Sequence, residues 1–170
     1  MIKLGSEYLM NNLNCSNCIS IRRYSEEQSL KDLKFASYKY ILDNFEQIVQ
    51  SDELLNELTR SELNDLFESS YLNVTCEEVV YEALMRWIHL NKDTFHQDSL
   101  SDSFSSVLSK DSTRSDSKYD ALSNLLGDLL AKVKLPLLKA SYLTKQIENN
   151  SLISSNIKCK LFLVSILYLT

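Results

Sequence analysis

Across residues 79–88 apolar side chains recur every three or four positions. Val79, Val80, Ala83, Leu84, Trp87 and Ile88 form one stripe, backed by Glu77, Glu78, Glu82 and Arg86. That period places side chains on one face of an α-helix, so the spacing predicts an amphipathic helix here. Its start carries a capping signature, in which Thr75 and Glu78 are spaced to exchange hydrogen bonds with each other's backbone while Val74 and Val79 sit at the stapling positions. The same device recurs upstream, where Thr59 pairs with Glu62 between Leu58 and Leu63. Leu30, Leu33, Ala36, Tyr40 and Ile41 predict another helix, and the pattern runs on through Phe45, Ile48 and Val49 without a strong breaker. Cys18, Ile21 and Tyr24 suggest a shorter helix before it, and Leu9 with Leu13 the tail of a first. The N-terminal half therefore reads as antiparallel helix pairs joined by short connections.

The pattern lapses between residues 92 and 118. Serines and aspartates dominate there, with sizeable apolar groups such as Phe95, Phe104, Val107 and Leu108 few among them. Such a stretch cannot bury enough surface to offset the cost of ordering its backbone, about 1–2 kcal/mol per residue. It is expected to be a flexible insertion, and its exposed serines beside aspartates are expected phosphorylation sites. Helical spacing resumes with Leu122, Leu125, Leu126, Leu129, Leu130 and Val133, until Pro136 pushes its predecessor out of the α region. Two short helices are expected after it, around residues 142–147 and from residue 156 onward, the last apolar on nearly every face.

Composition narrows the picture. In 170 residues there are 2 glycines and 1 proline, too few for the tight turns of a β-sandwich or barrel, so the expected fold is all-α. The whole of residues 1–170 is read as a single domain with the insertion inside it. The same shortage excludes Walker and Rossmann phosphate loops, which need clustered glycines. A net charge of -5 without a basic stripe argues against nucleic acid. The longest apolar stretch, Leu161 to Leu169, is too short to span a bilayer. The N-terminal residues resemble no secretory leader, so the cytoplasm or nucleus is the expected compartment, reduced thiols are expected, and the glycosylation sequons at Asn14, Asn73 and Asn150 read as chance matches.

Little in the chain points to catalysis. Cys15 and Cys18 form a C-x-x-C, but no second ligand pair follows at zinc spacing, and Cys76, Cys159, His89 and His96 are scattered. Cys18 reads as a small core side chain, Trp87 as a core anchor, and the pairs Glu26-Glu27 and Glu77-Glu78 as solvated helix turns. His89 reads as a complement to a helix C-terminus. No nucleophile, base and oxyanion site assembles, so neither an enzyme, a cofactor, a metal site nor a small-molecule substrate is expected.

Taken together, five segments carry a family resemblance. The run Leu13-Asn14-Cys15-Ser16-Asn17-Cys18-Ile19-Ser20-Ile21-Arg22-Arg23-Tyr24 resembles the opening of the BACK domain, the helical module between the BTB and kelch parts of kelch-like proteins. The likeness continues through residues 40–51, through Leu72-Asn73-Val74 and residues 77–88, and resumes at Val133-Lys134-Leu135-Pro136-Leu137-Leu138, Tyr142-Leu143 and Leu152-Ile153, with Cys159 close to the end. It covers nearly the whole chain outside about 92–118. Cys15 stands where the family usually has proline, Tyr24-Ser25 replaces a common Phe-Ala, and Leu30 a common cysteine; a buried Ser25 would need a backbone acceptor.

The resemblance implies a non-catalytic scaffold of cullin-3 RING ubiquitin ligases, in which such adaptors dimerise and bind the cullin through BTB and hold substrate on the kelch propeller. Expected partners are cullin-3 and BTB- or kelch-containing proteins. By position in the family pattern, Leu13, Ile19, Arg22 and Tyr24 are expected to border the cullin-facing groove, although Ile21 and Tyr24 are read first as core residues. Two other readings stand beside this one: a free-standing or degenerate helical binding module without a ligase connection, and a thiol or zinc protein.

Overall fold

The computed structural model describes residues 2–91 and 125–149. Every regular element among them is a helix, as the glycine-poor composition requires. The chain divides into two compact units, Met1–Thr75 and Cys76–Thr170. The expected insertion at 92–118, Leu122, the helix from residue 156 and Cys159 lie outside the described residues.

In the first unit α1 (Ile2–Asn11) and α2 (Cys18–Glu27) both pack on α3 (Lys31–Asp43). The α2–α3 pair is antiparallel: Glu26, in the last turn of α2, meets Lys34, in the first turn of α3, at 2.6 Å. The turn between them is a Schellman motif. Ser29 N–H donates to Glu26 O and Leu30 N–H to Ser25 O, which brings Ser29 to φ 55, a left-handed backbone conformation usually taken by glycine. Cys18, Ile21, Arg22 and Ser25 form the buried side of α2, together with Ile19.

The expected continuous helix through residues 30–49 is broken at Asn44, giving α3 and a separate α4 (Phe45–Gln50). The Asn44 side chain donates to Tyr40 O at 2.9 Å, a local bond that competes with the helical ladder. Two short helices follow, α5 (Asp52–Glu57), capped by Ser51, and α6 (Arg60–Glu68). The capping box of α6 forms as its sequence predicts, Thr59 and Glu62 each satisfying the other's backbone N–H, with Leu58 and Leu63 buried at the staple positions. Leu33, Ile41, Phe45, Ile48, Leu55, Leu63, Leu66 and Phe67 are core residues, and the Phe45 and Phe67 rings meet edge to face at 6.1 Å.

The connection after α6 is tied back to the ends of α3 and α4. Asn73 N–H donates to Leu42 O, while Thr75 gives both its N–H and its hydroxyl to Glu46 Oε1. The helix expected to start under a Thr75 cap begins at Glu77 instead, and the Thr75 N–H that a capping box would give to Glu78 goes to Glu46.

The second unit is built on α7 (Glu77–Asn91). Val80, Ala83, Leu84, Trp87 and Ile88 are buried as the stripe predicts, and so is Tyr81, which the stripe omits. Residues 125–130 form α8, with Leu125, Leu126, Leu129 and Leu130 buried. The periodic run was expected to stay helical as far as Pro136. It ends at residue 130, and Pro136 sits within a 3-10 turn, Leu135–Leu137, where its missing N–H costs nothing. The last described helix is α9 (Ala140–Asn149), where a helix around 142–147 was expected. Two carboxylates of α7 hold these later pieces: Glu77 accepts from Lys134 N–H at 2.7 Å, and Glu82 from the Tyr142 hydroxyl at 2.9 Å. Glu77 is thus a structural acceptor and not merely a solvated residue. Tyr142 also packs edge to face on Tyr81, and burial followed by the Glu82 bond raises its phenol above the ordinary range.

Candidate protein-binding site

At roughly 100° per residue, position 25 returns to the side of α2 occupied by Cys18, whereas position 24 has drifted well away from it. This corrects the reading of Tyr24 as a core residue: it is 48% exposed, and Ser25 takes the buried place. Ser25 finds the backbone acceptor that burial demands, donating to Arg22 O at 2.6 Å. Ile21 is buried as expected.

The four residues singled out in the sequence separate by environment. Leu13 is half-buried in the α1–α2 connection, Ile19 is 2% exposed and belongs to the core, and Tyr24 stands on the surface. Arg22 is the one that lines a groove.

That groove runs between α2, α3 and the end of α6. It is open, about 680 Å³ in volume, and lined by Arg22, Lys31, Lys34, Phe35, Tyr38, Asp65, Glu68 and the Ser69–Tyr71 connection. Arg22 is only 7% exposed. Its guanidinium lies 4.6 Å from the centre of the Tyr38 ring, a cation–π contact, and Nη2 reaches Asp65 Oδ2 at 3.4 Å. The Tyr38 hydroxyl donates to Asp65 O at 3.1 Å, fixing the ring on which the cation rests. Buried Nη1 has no hydrogen-bond partner. On the rim, Phe35 is 71% exposed and Tyr71 is 83% exposed.

Phe35 and Tyr71 were missed in the sequence. Phe35 had a signal: it is a large aromatic lying off the Leu33–Tyr40–Ile41 stripe, where solvent exposure follows from helical geometry. Asp65 and Tyr71 had none, since their approach to Arg22 depends on how α6 packs.

The two thiols of the C-x-x-C have different surroundings. Cys18 is in the core, donates to Cys15 O at 3.4 Å, and burial pushes its thiol up to about 11. Cys15 Sγ lies 3.6 Å from Gln47 Oε1. Among the described residues no three His, Cys, Asp or Glu side chains are grouped to hold a metal ion, and no helix is long and apolar enough to cross a membrane. The arrangement is suited to holding another polypeptide: a firm helical wall, a part-satisfied cation and exposed aromatic rings.

A family model described as BACK, BTB And C-terminal Kelch, matches residues 18–111. Kelch-like protein 28 of Homo sapiens is 34% identical over 162 residues, covering 94% of this chain and 23% of its own length. Kelch-like protein 24 of Homo sapiens is 30% identical over 154 residues, and Kelch-like protein 3 of Mus musculus 27% identical over 158. The chain spans less than a quarter of the length of each of these relatives.

Proposed function

The chain belongs to the BACK family, and from that membership we propose that it is a non-catalytic helical module of a cullin-3 RING ligase adaptor, acting in the cytoplasm or nucleus and positioning bound substrate for ubiquitination. Its partners on this reading are cullin-3 and BTB- or kelch-containing proteins. Its contribution is rigidity, since holding substrate at a fixed distance from the ligase core turns transfer into a matter of proximity.

The observation that carries this reading is the interlocking of α2, α3 and α6. Arg22 and Arg23 of α2 pair with Asp65 and Glu62 of α6, and Tyr38 of α3 bonds to the α6 backbone. A wall braced in this way keeps its outer surface in place under load. On that surface Leu13 and Tyr24 would make direct cullin contact, while Ile19 and Arg22 hold α2 in the presenting orientation.

Capture of the cullin-3 N-terminal region by this chain, with a BTB domain fused upstream, tests the proposal. Retention of the cullin, weakened by Leu13→Ala and Tyr24→Ala, is the expected result. No retention even with the BTB domain present would overturn it, and would leave a helical binding module without a ligase connection.

A further inference from the structure

The connection that follows α6 is pinned at two points. Asn73 holds the end of α3, giving its N–H to Leu42 O and its side-chain amide to Asp43 O, and Thr75 holds the first turn of α4. At Thr75 both donors, the N–H and the hydroxyl, converge on the single oxygen Glu46 Oε1, the hydroxyl at 2.7 Å. Thr75 is exposed and lies outside any helix, so water competes for that hydroxyl bond and opens it at little cost. Two carboxylates, Glu77 and Glu78, stand two and three residues after it.

From this juxtaposition we infer that Thr75 is a phosphorylation site for an acid-directed protein kinase using ATP, and that the phosphate detaches the connection from Glu46. Kinases of this class choose a hydroxyl by carboxylates just C-terminal to it, which a basic cleft attracts. Glu77 and Glu78 lie in the first turn of α7, and a helix end frays at the lowest cost, so the turn opens to the kinase as Glu77 leaves the Lys134 N–H. Thr59 has the same spacing to Glu62, but Arg60 follows it directly and Arg23 already occupies the Glu62 carboxylate with two bonds. In the transfer, the Thr75 Oγ1–phosphorus bond forms as the bond from the γ-phosphorus to its bridging oxygen breaks, ADP leaves, and the hydroxyl proton passes to the base of the kinase. The product has lost the donor that met Glu46 and carries about −1.5 to −2 charge beside that carboxylate. Among the described residues no cation pairs with Glu46 to absorb the added charge, so lost bond and repulsion act in the same direction. The inference stands on this connection alone and goes beyond the cullin reading.

The test treats the full chain with casein kinase II and ATP, maps phosphate by peptide mass spectrometry, and follows amide hydrogen exchange. Thr75 is expected to be phosphorylated well ahead of Thr59. Exchange at residues 73–76 should then quicken about tenfold, the loss of roughly one hydrogen bond plus repulsion. Thr75→Ala, treated in the same way, carries any phosphate added elsewhere and should quicken less, since it loses the bond without gaining the charge. In Glu46→Gln the acceleration on phosphorylation should disappear, because an amide carries no charge and can donate to the phosphate. No phosphate on Thr75 under conditions that fully modify a standard acidic substrate peptide would overturn the inference. So would Thr59 being modified first, exchange at 73–76 unchanged by the phosphate, or the same acceleration in Glu46→Gln. None of these outcomes depends on cullin capture, so either reading can fail alone.

Discussion

Arg23 meets Glu62 through two parallel hydrogen bonds, Nε to Oε1 at 2.9 Å and Nη2 to Oε2 at 2.6 Å, and so bolts α2 onto the first turn of α6. The same Oε2 accepts the Thr59 N–H at 2.8 Å, which makes one carboxylate both half of a capping box and half of an inter-helix ion pair. Removing it should therefore cost more than removing its partner. Glu62→Ala is expected to destabilise by about 1–2 kcal/mol and Arg23→Ala by about 0.5–1 kcal/mol, discounted for the part-exposed arginine. A double-mutant cycle by urea unfolding should return a coupling near 1 kcal/mol. A coupling of zero would mean that the pair adds nothing to stability.

Acid should loosen the first unit. Burial raises the Glu62 carboxyl, but the bonds from Arg23 and from Thr59 outweigh it and hold the group below its ordinary 4.5. The Thr75 hydroxyl, followed by its N–H, does the same for Glu46. With folded values below unfolded ones, the unfolded chain binds more protons in this range, so the stabilisation is complete above the ordinary carboxylate value and is lost as pH falls through the folded values. The urea midpoint should be level near neutrality and decline below about pH 4.5, with a shallower decline in Glu62→Gln. An unchanged slope in that variant would remove Glu62 from the account.

Ser29→Gly should stabilise the protein. Ser29 holds φ 55 at the end of α2, a conformation costing a residue with a Cβ about 1–2 kcal/mol. Glycine recovers part of that and gives some back as unfolded-state freedom, leaving a gain of about 0.5–1 kcal/mol readable as a higher urea midpoint. A loss of stability would show that the serine side chain, not the backbone, matters at this turn.

Thiol reactivity should divide the cysteines. Cys76 is exposed, while Cys18 is in the core with its thiol pushed up to about 11 by burial. Alkylation at mildly alkaline pH, mapped by peptide mass spectrometry, should modify Cys76 quickly and Cys18 only after denaturant is added. Modification of Cys18 in the folded protein would contradict its place in the core.

Phe45→Ala should be among the costliest single changes in the first unit. Phe45 is fully buried and its ring stands edge-on to Phe67, so truncation leaves a cavity and breaks an aromatic pair. A loss of about 3–5 kcal/mol is expected in urea unfolding. A loss below about 1 kcal/mol would imply that the site collapses freely around the gap.

Helix type and burial of the α7 stripe were legible in the chain because both follow from residues three and four apart. So were the Thr59–Glu62 box and the need of Ser25 for an acceptor, each settled within a single turn. Partnerships across longer separations were not. That Thr75 would serve Glu46, that Arg23 would find Glu62, or that Arg22, Tyr38, Asp65 and Tyr71 would share one groove depends on how α6 lies against α2 and α3. Periodicity states that a face is apolar; it does not state which other face covers it, or which charge arrives opposite. Those matters are decided by the joint packing of bulky side chains such as Phe45 and Phe67, and a polar group takes whatever partner that packing brings within reach.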